Sequence, residues 1–167
     1  MALLEILKYP DPRLRAKAKP ITQFDDALRR IVDDMYETMY ANQGVGLAGT
    51  QVNMHQQIFT LDISESHNEP ICMINAEIIS QEGSSFAAEG CLSVGGGAFD
   101  KVKRASRLRV RALDLDGKSF ELDAEGLLAI CIQHVIDHLN GILFIDHLSR
   151  LKQDRIRKKI TKEQQAD

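Results

Sequence analysis

Two histidines separated by one helical turn, His134 and His138, restrict the fold of this chain more than any other feature. They follow an apolar run, residues 127–132, that predicts a largely buried helix. Residues four apart on a helix project from the same face, and at this spacing one helix can bind a divalent metal ion through two imidazoles. The alternative is two core or surface histidines with this spacing by coincidence. If the pair does bind a metal, this helix would be central to the fold, with the other elements packed around it.

A metal site needs a further protein ligand, and Cys91 is the best candidate in the sequence. It lies in the segment Glu-Gly-Cys-Leu-Ser, residues 89–93, where Gly90 permits close approach of the backbone. Two imidazoles, one thiolate and an open position are typical of a catalytic rather than a structural site. The alternative is that Cys91 is a small buried apolar residue, as free cysteines commonly are.

A glycine-rich segment, Gly-Val-Gly-Leu-Ala-Gly-Thr-Gln at residues 44–51, matches the dinucleotide-binding pattern G-x-G-x-x-G. We reject nucleotide binding because a predicted helix precedes the segment and no βαβ unit surrounds it. The segment is not a phosphate-binding P-loop, since no Lys-Ser or Lys-Thr pair follows it. The pattern alone indicates a plain loop.

The remaining pattern predicts one α+β domain spanning residues 1–167. Apolar residues at helical spacing predict helices over about residues 25–42, about 124–139, and from about 149 onward, with Gly44 and Gly141 as stops for the first two. Strands are predicted over 57–63, 70–79, 108–115 and 119–122, with a hairpin turn at Asp116-Gly117. These elements indicate mixed or antiparallel sheets around the histidine-bearing helix, with a C-terminal helix.

Composition narrows the class of protein. Apolar residues make up 44% of the 167 residues and charged residues 27%, which is typical of a globular domain. The net charge of -3 argues against DNA or membrane binding by the whole surface. No apolar run approaches the roughly 20 residues of a membrane span, and we expect no signal peptide. Three cysteines without a disulfide framework indicate the cytoplasm.

Three segments, in order, resemble the signature motifs of the peptide deformylase family. They are residues 44–51, residues 89–93, and Gln-His-Val-Ile-Asp-His at residues 133–138. The flanks agree, with Tyr-Pro-Asp-Pro-Arg-Leu-Arg at residues 9–15 and Leu-Asn-Gly-Ile-Leu-Phe at residues 139–144. The resemblance covers nearly the whole chain, and the ordered set is much more specific than any one motif.

Peptide deformylases remove the formyl group from the N-terminal formylmethionine of new proteins. The resemblance implies that Cys91, His134 and His138 bind one divalent metal ion, Fe2+ natively, with Zn2+ or Ni2+ as substitutes. Such an ion activates water and polarises the formyl carbonyl. Gln51 matches the glutamine whose side-chain amide stabilises the developing oxyanion, together with the backbone N–H of Leu92.

The resemblance also implies where the substrate, an N-formylmethionyl peptide, would bind. The backbone at Val45, Gly46 and Gly90 matches positions that pair with a peptide in extended form. The apolar pocket for methionine would lie against the metal-binding helix, near Ile130 and Cys131, which flank the third motif.

The third motif departs from the family pattern His-Glu-x-x-His, because Val135 occupies the glutamate position. That glutamate takes a proton from water and delivers it to the leaving amine, and valine can do neither. General acid–base catalysis contributes roughly 10²- to 10⁴-fold, or about 3–5 kcal/mol of barrier. Asp137 is close to the same helix face, but the family carries an aspartate there as well, so we expect a structural role for it. Strongly impaired activity is therefore expected.

Two further departures lie near the same cleft. The family usually has Ala-Ala where this chain has Ala48-Gly49, and it usually has a proline where Gly95-Gly96-Gly97 follows Cys-Leu-Ser-Val. Three changes around one cleft favour natural divergence over a single sequence error or cloning change.

The C-terminal helix is predicted to be strongly basic. Its cationic residues are Arg150, Lys152, Arg155, Arg157, Lys158, Lys159 and Lys162. Charge runs are commonly solvated faces, but deformylases act near the ribosomal exit tunnel, partly through a C-terminal helix. The resemblance therefore implies contact with ribosomal RNA through its phosphates.

Three functions remain open at this point. The first is a slow metal-dependent deformylase. The second is a catalytically inactive homologue, or pseudoenzyme, that binds metal and formylmethionyl peptides or the ribosome. The third is an amidase acting on another small acyl group. Val135 favours the second over the first, while the Cys-His-His set and Gln51 favour retention of the metal and the pocket.

Overall fold

The computed structural model describes residues 3–94 and 100–166, with side chains as far as residue 162. Three 3₁₀ turns cover Pro12–Arg15, Gly49–Val52 and Phe144–His147. The helices and strands in chain order are α1 (Asp26–Ala41), β1 (Gly46–Ala48), β2 (Ile58–Leu61), β3 (Ile71–Glu82), β4 (Ser85–Glu89), β5 (Asp100–Arg104), β6 (Arg107–Leu113), β7 (Ser119–Glu125), α2 (Gly126–Leu139) and α3 (Arg150–Ala166).

Helix α1 forms because its apolar residues recur on one side and its first turn is capped. Leu28, Val32 and Met39 are buried on that side. Asp25 accepts a hydrogen bond from the Leu28 N–H at 3.0 Å, which satisfies a free donor of the first turn. The helix ends shortly before Gly44, whose N–H donates to the Met39 carbonyl at 2.9 Å.

The strands form two antiparallel sheets. Five strands pair in the order β1-β2-β3-β6-β7, while β4 and β5 pair separately. Strand β6 alternates, with Leu108 and Val110 buried and Arg107 and Arg109 exposed, so this part of the larger sheet has one core face and one solvent face. Among the described residues β1 and β4 each pair with one strand only, and each therefore has a free edge.

Helix α2 is central, and its buried side packs against the larger sheet. Ala129, Ile132 and Val135 join a core cluster with Phe59 and Met73 of β2 and β3. The more exposed α3 covers a separate cluster, into which it inserts Ile156 and Ile160. Cys91 packs against this second cluster, so the segment after β4 lies between the two cores.

The predicted fold class is confirmed, and all three helices form within two residues of their predicted bounds. Strands β1, β4 and β5 were not predicted. Strand β1 is only three residues long within the glycine-rich segment, which the pattern assigned to a loop. No helix in the described part of the chain is long and apolar enough to span a membrane.

Candidate metal centre

His134 and His138 project from the same side of α2, as their spacing predicts. Their Nε2 atoms lie 3.2 Å apart, and their ring centroids are 4.9 Å apart with the planes steeply inclined. His138 is fully buried, while the His134 side chain is 14% exposed. The two nitrogens therefore converge on one point, and His134 keeps one side open to solvent.

Cys91 completes this group because the chain turns back immediately after β4. The turn is closed by a hydrogen bond from the Val94 N–H to the Cys91 carbonyl, at 3.1 Å. The Cys91 Sγ lies 3.1 Å from His138 Nε2. The ligand atoms of Cys91, His134 and His138 all lie within 4.8 Å of one another. Residues from two distant parts of the sequence thus meet at one point.

The chemistry of this group fits a divalent transition-metal ion. Two imidazole nitrogens and a thiolate are ligands for Zn2+ and for Fe2+. Burial raises the pKa of the Cys91 thiol, but His138 and His134 outweigh it and hold that pKa well below its usual value. His138 Nδ1 has no hydrogen-bond partner in the described structure, so its ring makes polar contacts only through Nε2, toward Cys91 and His134.

A buried ionic network fixes the His134 ring through its Nδ1 atom, whereas Nε2 faces His138. Glu89 Oε1 lies 2.9 Å from His134 Nδ1, and Arg104 donates two hydrogen bonds of 2.8 Å to the Glu89 carboxylate. Burial raises the pKa of Glu89, but Arg104 and His134 lower it to about 2. Arg104 also donates to Asp137 Oδ2 at 2.6 Å, and His147 lies 2.8 Å from the same oxygen. Asp137 therefore has a structural partner, as predicted.

Gln51 is held beside the centre by its own short turn. The Ala48 N–H donates to Gln51 Oε1 at 2.9 Å. Gln51 Nε2 donates to Ser93 Oγ at 3.1 Å and lies 3.6 Å from Cys91 Sγ. With its carbonyl oxygen occupied, the amide can present only its N–H groups to the metal centre. Thr50 ties the same turn to α2 by donating to the His138 carbonyl at 3.0 Å.

Val135 lies beside the centre but behaves as a core residue. Its side chain is 1% exposed and belongs to the cluster between α2 and the larger sheet. A Cβ added at Gly46 would lie 3.1 Å from Val135 Cγ1 and 2.9 Å from Cys131 Sγ. Strand β1 can therefore run this close to α2 only because position 46 has no side chain. Position 135 offers hydrocarbon and no proton acceptor.

A cavity of about 400 Å³ opens beside the metal centre, between the free edges of β1 and β4. Gly44, in the turn before β1, and Ala88, in β4, line two sides of it, and Leu127 lines it from α2. Of the residues chosen from the sequence, those that line it are Val45, Gly46, Gln51, Gly90, Cys91, Leu92, Ile130, Cys131, His134 and Val135. His138 is buried next to the cavity without lining it. The structure thus brings all the chosen residues together, while their individual roles stay predictions.

Sequence reasoning missed two parts of this site. Glu89 was noted only as part of a motif, and its ionic partner Arg104 lies in β5, a strand that was not predicted. The alternation Lys-Val-Lys-Arg at residues 101–104 is the signal that could have identified an inward-facing arginine. The prediction about Gly95-Gly96-Gly97 lies outside the described residues. At Gly49, a Cβ would lie 2.7 Å from the Met54 carbonyl oxygen, so the backbone is closely fitted to glycine there.

Comparison with known proteins gives consistent matches. The family model described as polypeptide deformylase matches residues 3–154. A peptide deformylase of Azotobacter vinelandii is 57% identical over 165 residues, covering 98% of this chain and 97% of the relative. One from Chromobacterium violaceum is 54% identical over 167 residues, covering 100% and 99%.

Solved structures agree with these sequence matches. A crystal structure of a peptide deformylase from Legionella pneumophila superposes with a TM-score of 0.94 at 46% identity, covering 98% of this chain and 96% of that one. The Ehrlichia chaffeensis peptide deformylase in complex with actinonin superposes with a TM-score of 0.93 at 40% identity, covering 98% of each chain.

Proposed function

Because this chain belongs to the polypeptide deformylase family, we propose that it binds a divalent metal ion and the formylmethionyl end of nascent proteins, and hydrolyses the formyl group only slowly. The observation that carries the proposal is the convergence of Cys91 Sγ with the Nε2 atoms of His134 and His138. The reaction is that of the family, the removal of the formyl group. The reduced rate is our proposal, and it rests on Val135.

We propose Fe2+ as the native ion, with Zn2+ and Ni2+ as substitutes, held by Cys91, His134 and His138. An ion bound there would supply Lewis-acid activation of water and of the formyl carbonyl. Glu89, backed by Arg104, would keep the His134 ring in the orientation that ligation needs.

The protein groups around the formyl carbonyl would bind and orient it. Gln51 would direct the amide N–H that is not bound to Ser93 at the carbonyl oxygen as negative charge develops, and the backbone N–H of Leu92 would be the second donor. Both residues line the cavity. The amide of Gln51 is pre-oriented by its bonds to Ala48 and Ser93, which supports this role.

The peptide itself would bind as an added strand between the free edges of β1 and β4. Backbone groups at Val45, Gly46 and Gly90 would pair with it, and the methionine side chain would enter the apolar space at Ile130 and Cys131. We expect peptide binding and deformylation to take place in the cytoplasm, where formylmethionyl chains are made.

Val135 is the reason that we propose slow hydrolysis rather than full deformylase activity. A proton must pass from water to the leaving amine, and the buried isopropyl group of Val135 cannot carry it. The loss of such a group typically costs roughly 10²- to 10⁴-fold in rate. This favours, as second candidate, an inactive homologue that binds metal and formylmethionyl peptide or the ribosome.

The test is formate release from a formylmethionyl peptide by Fe2+-loaded protein prepared without oxygen, with metal content measured in each sample. We expect Val135→Glu to raise the rate by roughly 10²- to 10⁴-fold. Val135→Gln is the matched control, because it has a similar size and no acid–base function, and it should give no comparable rise.

Two outcomes would change the conclusion. Turnover by the wild-type chain equal to that of Val135→Glu would contradict the proposed loss of rate. Metal-loaded Val135→Glu that stays inert would mean that more than the proton carrier has changed, and it would favour the binding function.

A further inference from the structure

The outward face of the β4–β5 hairpin carries an exposed aromatic ring beside two lysines, next to the end of the cavity. Ala88 and Phe86 lie on the same side of β4, because alternate residues of a strand share a face. The register pairs Phe86 with Lys103 and Ala88 with Lys101, and directly opposite residues lie on the same face of the sheet. We call these four residues the hairpin face.

The hairpin face combines an exposed aromatic ring with two lysines. Phe86 is 67% exposed, the most exposed large apolar side chain in the described structure. Neither Lys101 nor Lys103 has a carboxylate partner for its ammonium group among residues 3–94 and 100–162. The opposite face of the same hairpin has its charges paired, since Arg104 binds Glu89 there. The hairpin face thus offers an apolar contact and two free positive charges.

The hairpin face continues the proposed peptide groove. Ala88 belongs to the hairpin face and also to the proposed peptide groove, since it lines the cavity. Cys91 follows the C-terminal end of β4, so a peptide that starts at the metal centre and follows the free edge of β4 must run back toward Phe86. Phe86 lies two residues before Ala88, about 7 Å along the strand, which is the length of two residues of an extended peptide. A methionine bound beside Ala88 or Gly90 would bring the third to fifth peptide residues to Phe86.

We propose that the hairpin face is an extended subsite that selects N-formylmethionyl peptides with apolar and acidic side chains among their third to fifth residues. This inference rests on the proposed function, because it needs the peptide to start at the metal centre. Phe86 would contact an apolar side chain, and Lys101 and Lys103 would attract a carboxylate. The charge contribution acts at an exposed site and is therefore weakened by salt.

The test measures equilibrium affinity, by calorimetry, of the full-length Zn2+-loaded chain for three peptides. They are formyl-Met-Ala, formyl-Met-Ala-Ser-Ser-Ser and formyl-Met-Ala-Leu-Glu-Leu. We expect the last to bind roughly three- to tenfold more tightly than the serine peptide, given the apolar area a phenyl ring can cover. Phe86→Ser should remove most of this difference. Charge reversal at Lys101 and Lys103 should remove a further part at low salt and little at high salt.

Matched controls are Ile79→Ser, an exposed apolar residue on β3, and Lys118→Glu in the β6–β7 turn, which should leave all three affinities unchanged. Thermal unfolding of each variant checks that the fold is retained. If formyl-Met-Ala binds while the two longer peptides bind equally, the subsite is refuted and the proposed function stands. If formyl-Met-Ala does not bind, the proposed function fails and the subsite fails with it.

Discussion

Val135 and Gly46 form a steric pair at the residue scale. The β1 backbone passes so close to α2 that a single added carbon at position 46 would meet Val135 Cγ1 and Cys131 Sγ inside normal contact distance. The space beside the metal centre is therefore set by two residues together, one without a side chain and one with a compact branched one.

Gly46→Ala should destabilise the fold by about 1–3 kcal/mol, because a methyl group is forced into a packed interface. Chemical denaturation with urea measures the free energy of unfolding. In the double variant Gly46→Ala/Val135→Ala, space at position 135 should relieve part of the clash, so the combined cost should be less than the sum of the two single costs. Strict additivity would show that the two side chains do not compete for this space.

At the element scale, a buried carboxylate organises the connection between β2 and β3. Asp62 follows β2 and is 1% exposed. It accepts hydrogen bonds from the Ser64 N–H and hydroxyl, from the Glu69 N–H, and from the Tyr40 hydroxyl of α1. Burial raises the pKa of Asp62, but these hydrogen bonds outweigh it and lower the pKa to about 2. The ionised form is thus tied to the folded state.

This contribution has a defined pH window. The folded pKa of Asp62 is about 2 and the ordinary value is 3.8, so the stabilisation is complete above about pH 4 and is lost as the pH falls toward 2. Asp62→Asn should lower the free energy of unfolding by about 1–2 kcal/mol at pH 7, and this deficit should shrink across that window. The exposed Asp116→Asn is the control and should have little effect. A deficit that persists unchanged at pH 2 would contradict the ionic origin.

Helix α3 separates an apolar side from a basic one. Ile156 and Ile160 are buried, while Arg155, Lys158 and Lys159 are exposed and have no carboxylate partner among the described side chains. These three cations form a basic surface on the side of α3 away from its buried isoleucines. This arrangement supports the proposed ribosome contact.

Charge reversal at Arg155, Lys158 and Lys159 should weaken cosedimentation of the protein with ribosomes at low salt. The physical reason is the loss of phosphate contacts, each of which also contributes to the salt dependence of binding. Charge reversal at Lys118, on a remote turn, should have little effect. Equal cosedimentation of the wild type and the triple variant would remove α3 from the proposed interface.

At the scale of the whole molecule, the candidate ligands join separately packed parts. His134 and His138 belong to α2, which packs on the larger sheet, whereas Cys91 follows the β4–β5 sheet and packs on the second cluster. The N-terminal segment links the same regions, with Leu7 donating to the Gln51 carbonyl and Tyr9 to the Ser93 carbonyl, each at 2.7 Å. A bound ion would therefore crosslink the two cores.

Zn2+ should raise the unfolding temperature of the whole chain. At a free ion concentration about 1,000 times the dissociation constant, the expected stabilisation is about 4 kcal/mol. Cys91→Ser should lose most of this gain, since a hydroxyl is a poor substitute for a thiolate ligand. Cys72→Ser, at a half-buried cysteine away from the centre, should keep it. An unaltered gain in Cys91→Ser would show that the ion binds elsewhere.

Local sequence patterns were sufficient to predict part of this structure. The helices follow from apolar residues at helical spacing, as at Leu28 and Val32 of α1, and the imidazole pair follows from a four-residue interval on one helix. Strand β6 and the turn after it follow from strict alternation and Asp116-Gly117. These features depend on interactions between near neighbours in sequence, so the sequence by itself determined them. The sequence also named Cys91, His134 and His138 as candidate metal ligands, but only the tertiary structure brought Cys91 beside the two histidines.

Tertiary structure decided what depends on pairing between distant segments. Strands β1, β4 and β5 are short and form because partners lie beside them. Arg104 supports His134 of the candidate metal centre only because β5 places it against Glu89, 15 residues earlier. The position of the hairpin face beside the proposed peptide groove likewise exists only in the packed molecule. The same is true of the close approach of Gly46 to Val135. No local pattern contains them, because burial and register are properties of surfaces that meet after the chain has folded.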